Sequence, residues 1–379
     1  MNFISFIKSA ARALFAYTVL ATGLMSCSTI FTDQSQCPKG VSLSFRYEYN
    51  MEYANSFHSQ VHCLSLLVFD GNGRFVSRFD ESSDALGKED YAMSLELDEG
   101  HYTLLAYGGI ACADASFDLY CPSGSKAAES DLQQVRLQLR SEDSRSSSCL
   151  HPCFYGIEEI DIENSEQFIR DTVYMLKNTN NIRVVLQQID GVAMSSGDFV
   201  FTITDNNSVL DWTDAAVPST QLTYLPWTKG ETVIGEDTPG TTPASAVWAE
   251  FSTSRLFFGN APRLRVANAE SGETVIDLPL IDYLMLLRSE LFADMSKQEF
   301  LDRESVWSLV FFLDNGLRWL DTRIVINDWV VRLNHTEMWA LCEICLHMSW
   351  LFLLLLSFCR DAICGSSAAG MACANLPYL

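Results

Sequence analysis

Apolar side chains recur at every second position in short runs, and turn residues separate the runs. Val41, Leu43, Phe45 and Tyr47 alternate with Ser42, Ser44, Arg46 and Glu48. A period of two puts one set on a buried face and the other in water, the signature of a half-buried strand. Val61 to Phe69 is more continuously apolar and reads as a central strand. Asp70-Gly71-Asn72-Gly73 follows as a hairpin turn, because Gly and Asn accept the backbone that tight turns need. Arg74 to Phe79 is the returning strand. Tyr91 to Leu97 and His101 to Tyr107 repeat the pattern around Asp98-Glu99-Gly100. Residues 112–130 read as a loop, and Val135, Leu137 and Leu139 alternate once more. Turns at about ten-residue spacing, with no long helical stretch, predict an antiparallel β-sandwich over residues 37–156.

The same pattern resumes in a second sandwich over 157–332. Strands are expected at Thr172–Lys177, Ile182–Ile189, Phe199–Thr204, Val247–Phe251, Leu256–Phe258, Leu264–Val266, Thr274–Leu280, Ser305–Leu313 and Arg323–Val331. Leu222, Tyr224 and Pro226 suggest an extended segment. Asn178-Thr179-Asn180-Asn181 reads as a break, and 229–245, rich in Gly, Thr and Pro, as a long loop. Residues 281–304 are the best helical candidate, with Tyr283, Leu284, Leu287, Leu291 and Phe292 at helical spacing. The expected fold class is therefore mainly β: two tandem antiparallel sandwiches with a short helical insertion in the second.

The N-terminus reads as an export signal. Lys8 and Arg12 precede an apolar run from Ala13 to Leu24. A run of about a dozen residues suits a signal and is too short to span a bilayer. Leu24-Met25-Ser26-Cys27 closes it and resembles a bacterial lipobox, with Met25 an unusual occupant. Residues 1–26 are then a lipoprotein signal peptide, Cys27 the acylated residue, and 27–36 a polar tether. One acyl chain anchors marginally, and a second makes the anchor stable. The alternative is a plain secretory signal with Cys27 an ordinary residue. Removing the first 26 of 379 residues leaves 353, enough for two domains.

Hydrophobic residues make up 48% of the chain, which excludes a disordered body. Lys and Arg total 25 against 48 Asp and Glu, and the net charge of −23 argues against nucleic acid as a partner. The 12 cysteines divide the chain. Apart from Cys27, they are Cys37, Cys63, Cys112, Cys121, Cys149 and Cys153 early on, then Cys342, Cys345, Cys359, Cys364 and Cys373 in the tail. An exported chain can form disulfides in the first group, with the pairing left open. Cys149 and Cys153 flank His151, but no second ligand pair stands at zinc-like distance. A disulfide or two free thiols is the simpler reading.

No catalytic motif is present: no G-x-S-x-G, H-E-x-x-H, Walker loop or G-x-G-x-x-G. His58, His62, His101 and His151 are scattered. Glu158-Glu159 has the composition of a glycosidase pair, but an acidic chain produces such pairs by chance. Trp212, Trp227 and Trp248 offer aromatic faces for a sugar, against the plainer reading that they pack between sheets. An enzyme is not expected, and no cofactor or metal is implied.

An ordered set of segments then carries a resemblance. Cys37-Pro38, Val41-Ser42-Leu43-Ser44-Phe45 and Leu66-Leu67-Val68-Phe69-Asp70-Gly71 with Gly73 are followed by Val173-Tyr174-Met175-Leu176-Lys177-Asn178-Thr179-Asn180-Asn181-Ile182, and later by Ile326-Asn327-Asp328-Trp329. With the lipobox, this order resembles the FimB/Mfa2 family of fimbrial anchor subunits from Bacteroidales, over about residues 20–332. The resemblance implies transthyretin-like sandwiches and a surface-exposed outer-membrane lipoprotein. It also implies that such a protein holds a fimbrium at its base and limits its length. Partners would be fimbrial shaft or accessory subunits, joined by β-strand complementation, and the outer membrane, reached through lipid. A glycan-binding surface lipoprotein is the alternative, and a lipid-anchored hydrolase a third class. Residues 333–379 depart from the family pattern with an apolar, Cys-rich tail that includes Leu353-Leu354-Leu355-Leu356. The tail reads as a membrane segment, a buried or partner-covered helix, or, favoured, a non-native extension.

Overall fold

A computed structural model describes residues 39–120, 131–164, 167–188, 193–234, 244–314, 316–326 and 329–333. The signal at 1–26, Cys27, the tether, Cys37, Cys121 and the tail from 334 lie outside the described residues. Among the described residues, no helix is long and apolar enough to cross a membrane, which leaves strand-built barrels untouched.

The first half supplies β1 (Gly40–Arg46), the short α1 (Phe57–Gln60), β2 (Leu64–Asp70), β3 (Phe75–Glu81), β4 (Ala92–Leu95), β5 (Gly100–Gly108), β6 (Phe117–Tyr120), β7 (Arg136–Leu139) and β8 (Arg145–Ser146). After these come β9 (Phe154–Ile162) and β10 (Phe168–Lys177). Seven of these strands form one sheet in the order β3-β2-β5-β9-β10-β1-β4. Its β1 and β4 flank face its β2 and β5 flank across an apolar core. Val41, Leu43 and Phe45 of β1 meet Leu64, Leu66 and Val68 of β2, Leu104 and Ala106 of β5, and Val173 and Met175 of β10. Burial alternates along β1 as its sequence predicts, while β2 is buried on both faces, as its continuous apolar run predicts.

The second half adds β11 (Thr179–Gln188), β12 (Phe199–Asp205), β13 (Val209–Asp211), β14 (Leu222–Tyr224), β15 (Thr228–Ile234), β16 (Ala244–Ser254), β17 (Arg263–Asn268) and β18 (Thr274–Pro279). Two short helices follow, α2 (Leu280–Met285) and α3 (Lys297–Arg303), then β19 (Val306–Leu313), β20 (Trp319–Ile326) and β21 (Trp329–Leu333). A six-stranded sheet, β15-β16-β11-β19-β20-β21, packs on a five-stranded one, β18-β17-β12-β14-β8. Ile182, Val184, Leu186, Val247, Phe251, Leu309 and Phe311 face Phe199, Phe201, Ile203, Leu264, Val266 and Ile276 in the core.

A fourth, three-stranded sheet, β13-β7-β6, lies under the first half. Its Phe117, Leu137, Leu139 and Leu210 bury the far face of β2 and β5, and this cluster is continuous with the second core. The halves also exchange strands. Residues of the second half, β13, complete the small sheet of the first, while β8 of the first half joins the five-stranded sheet of the second.

The chain is mainly β, as expected, with several differences of detail. The sheets divide at Asn178, not at 156, because β9 and β10 pair within the first sheet. The pairing is antiparallel except for β1 with β10, β11 with β19, and β14 with β8. The expected break at 178–181 shrinks to Asn178, since Thr179 already pairs with Ser254. The loops expected at 112–130 and 229–245 contain β6, four residues among small polar neighbours, and β15, hidden by its Lys, Gly and Glu. Leu256–Phe258 is not a strand, and Arg323–Val331 is two strands of a hairpin. The helix expected over 281–304 is broken into pieces. The Arg288 guanidinium donates to the Phe292, Ala293 and Met295 carbonyls, which closes the intervening loop. Ser296 then starts α3 by accepting the Glu299 N–H. Leu291, placed on the apolar stripe by its spacing, stands 84% exposed.

Candidate functional site: free sheet edges, a polar cleft and a charged junction

A protein that assembles through strands needs an edge with unpaired backbone groups. On the seven-stranded sheet, β3 is an edge, but its outward positions include Arg78 and Asp80, tied to Ser65 on the neighbouring strand. Charge of this kind blunts an edge. On the five-stranded sheet, β18 carries Asp277 bound to Arg263 and ends on Pro279. On the six-stranded sheet, β15 matches β3 in length, at seven residues, and is less defended among the described residues. Val233 is 52% exposed, and Trp227 stands half-exposed just before the strand. The strand is held in place from within. Lys229 Nζ donates to the Ser196 carbonyl at 2.8 Å, and Ser195 Oγ donates to Glu231 at 3.2 Å. Gly230 is needed here for space: an added Cβ would lie 2.6 Å from the ring of Trp248, which covers it.

A polar cleft of about 390 Å³ opens elsewhere, beside the β2–β3 turn. Asp70, Asn72, His101, Thr103, Glu159 and Trp212 contribute to its walls. The walls are fixed. The Leu132 N–H donates to the Gly73 carbonyl at 2.7 Å, His101 Nδ1 pairs with Asp161 at 2.8 Å, and the Tyr155 hydroxyl donates to the Trp212 carbonyl at 2.9 Å. Backbone N–H groups of Arg74 and Asn72 hold the Asp70 carboxyl below its ordinary range.

The third feature is the junction between halves. Arg255 forks onto Asp302 at 2.8 and 2.7 Å and reaches Asp214 at 2.6 Å, all with little solvent exposure. Asn178 donates to the second oxygen of Asp214 at 2.6 Å. Burial pushes the Asp214 carboxyl up to about 7, against the opposing pull of Arg255 and Asn178. Nearby, the Arg303 guanidinium lies 4.2 and 4.4 Å from the ring centres of Tyr49 and Tyr53, and donates to the carbonyls of Glu48 and Asn50.

The residues singled out in the sequence separate in space. Trp212 lines the cleft, whereas Trp248 lies in β16 and Trp227 just before β15, so the three make no single platform. Glu158 and Glu159 are adjacent on β9 and face opposite ways, which separates them as a catalytic pair. Cys63 and Cys112 form a disulfide, with Cα atoms 5.5 Å apart. Among the described residues, Cys149 is free and exposed, and Cys153 free and buried, its thiol pushed well up by burial. Cys63, Cys112 and His151 approach one another, but both sulfurs are spent in the disulfide, and His151 pairs with Asp114 at 3.1 Å. The edge at β15 and the Arg255 junction were missed in the sequence. Nothing local in the sequence marks either.

The family model for fimbrillin-A associated anchor proteins Mfa1 and Mfa2 matches residues 34–335. The chain belongs to this anchor family. It is 24% identical over 287 residues to the minor fimbrium anchoring subunit Mfa2 of Porphyromonas gingivalis, covering 71% of this chain and 79% of that one. A candidate adhesin from Bacteroides thetaiotaomicron is 41% identical, with a TM-score of 0.73 over 80% of this chain and all of that one. A candidate polysaccharide-binding protein from the same species is 27% identical, with a TM-score of 0.66 over 79% of this chain and all of that one. The family supports a fimbrial anchor role at the cell surface, in association with fimbrial subunits.

Proposed function

We propose that this chain fixes a fimbrium to the outer membrane. Acylated Cys27 holds the bilayer, and the β15 edge, open among the described residues, receives a strand from the neighbouring shaft or accessory subunit. By filling that end of the shaft the chain also limits its length. The observation that carries the reading is membership of the anchor family over residues 34–335. The supporting geometry is β15, a seven-residue edge with exposed Val233 and no proline. Backbone bonds to an added strand supply affinity, and alternate side chains supply selectivity.

Intact mass of the membrane form tests the lipid end. The expected mass corresponds to residues from 27 onward plus acyl groups. A chain without acyl groups overturns the Cys27 assignment. Val233→Lys tests the other end, because an exposed lysine blunts an edge without entering the core. Its melting temperature should stay at the wild-type value while fimbriae are shed into the medium. Normal retention would remove β15 from the mechanism.

A second reading, a glycan-binding surface lipoprotein, is favoured by Trp212 in the polar cleft, together with the likeness to a candidate polysaccharide-binding protein. An indole face with hydroxyl-binding groups around it suits a sugar ring. Retention of the chain on a polysaccharide column, lost in Trp212→Ala, would support it. No retention on any polysaccharide tested leaves the anchor alone.

A further inference from the structure

Strand β1 occupies a particular place in the chain. It is the first described strand after the proposed tether, and its ladder with β10 is parallel, running from Gly40 opposite Phe168 to Arg46 opposite Tyr174. Gly40 N–H adds a bond to the Gln167 carbonyl at 3.0 Å. Parallel strands have their N-terminal ends together. Tension on the residues before Gly40 pulls β1 toward that end. The far end of β10, at Lys177, leads through buried Asn178 directly into β11 of the second half. A load held by the second half therefore pulls β10 the opposite way. The whole ladder is loaded at once, in shear, where a hairpin pulled from its open end would lose its bonds one by one.

Side-chain packing reinforces the ladder. Val41, Leu43 and Phe45 are buried, and Ser42 and Ser44 between them face outward. A slip of one residue, about 3.3 Å, would turn the serines and Arg46 into the core and the apolar set into water. Gly40 sits with φ +89°, and a Cβ there would lie 2.5 Å from the Leu95 carbonyl oxygen, so the strand start is closely seated against β4.

The C-terminal end of β1 is also held by the second half. Two residues beyond it, the Glu48 carbonyl, and then that of Asn50, accept from Arg303, whose guanidinium lies against the rings of Tyr49 and Tyr53. Arg303 ends α3 and leads into β19, which pairs in parallel with β11. Both routes out of the β1–β10 pair thus arrive at the same place, around Asn181 and Val306.

From this geometry we infer that β1 is a tie bar: it carries tension from the N-terminal side directly to the second half, through a sheared parallel ladder and the Arg303 clasp. The source of the load rests on the anchor reading, but the mechanical property does not. In an optical trap, the full chain is pulled through attachments at Lys39 and at Gly259, which lies in an open turn beside the junction. The same chain is then pulled through Lys39 and Leu97. That second geometry opens the antiparallel β1–β4 pair from the end where Val41 faces Leu95. First rupture through Lys39 and Gly259 is expected at a force at least about twofold higher at equal loading rate, as forced unfolding reports the unfolding barrier of the element loaded. Arg303→Ala should lower that force and leave the Lys39–Leu97 force unchanged. Equal forces in the two geometries, or a force through Gly259 that Arg303→Ala does not move, overturn the tie bar. Loss of the acyl groups at Cys27 with the forces intact would instead overturn the anchor reading alone.

Discussion

The two halves are built alike and closed differently. Each contains a parallel pair, β1 with β10 one strand in from the sheet edge and β11 with β19 at the sheet centre. The first half keeps its sandwich core to itself: the cluster around Leu43, Leu66 and Val173 draws on residues 41–175 alone. The second core has no such limit. It runs from Ile276 and Phe311 through Leu210 to Leu137, Leu67 and Tyr107 under the first half. Oily contact with a neighbour is thus one-sided in sequence, and a charged knot at Arg255 finishes the seam. The difference teaches that these are not two beads on a string. One core is private and the other is held in common.

Breaking the charged knot should have the largest effect. Arg255→Met would leave Asp214 and Asp302 buried without a countercharge, and removal of one partner of a buried ion pair costs about 4 kcal/mol. Urea unfolding should show that loss in a single transition covering both halves. Two transitions would mean that the shared core does not couple them. A smaller effect separates the private core from the common one. Leu137→Ala and Leu43→Ala each remove a fully buried side chain, at a cost of about 3 kcal/mol. Amide exchange should quicken in both halves for Leu137→Ala and in the first half alone for Leu43→Ala. The smallest effect, taken per pH unit, is on pH. Asp214 titrates near 7 when folded and far lower when unfolded, so the folded chain binds the extra proton between those values. Stability contributed by that proton is complete at low pH and is lost as pH rises through 7, with a slope of at most about 1.4 kcal/mol per pH unit. Asp214→Asn should flatten the midpoint-versus-pH curve between about pH 4 and 7 relative to wild type.

Much of this plan was legible along the chain. The serine-leucine alternation of β1 and the unbroken Leu64–Phe69 run of β2 state their burial outright, because a strand's periodicity is local. The sandwich class followed from such segments, and the family from their order. What escaped depends on distant partners. Residues 157–177 look no different from a new domain until β9 meets β5, some fifty residues earlier in the chain. β15 reads as loop because Lys229, Gly230 and Glu231 are poor strand formers that break up the apolar pattern, and Trp248 lies over Gly230 only once the sheet forms. β8 and β13 are two and three residues long, below any periodic signal. Trp212 stood out as an aromatic residue, yet its cleft is formed with residues more than fifty positions away. Asn178 was recognised as a break and its burial was not, since a buried amide makes sense only once Asp214 is opposite it.

The exchange of β8 and β13 governs the order in which the protein can be made. A chain threaded out from its N-terminus presents β6 and β7 early, but their sheet lacks its third strand until Val209–Asp211 has emerged. Meanwhile β8 waits for Leu222–Tyr224, and the underside of β2 and β5 stays greasy and uncovered. Contacts so far apart in sequence form slowly, and open strand edges invite the wrong neighbour while they wait. Foreign strands must therefore be kept away until the chain's own two pieces have crossed over.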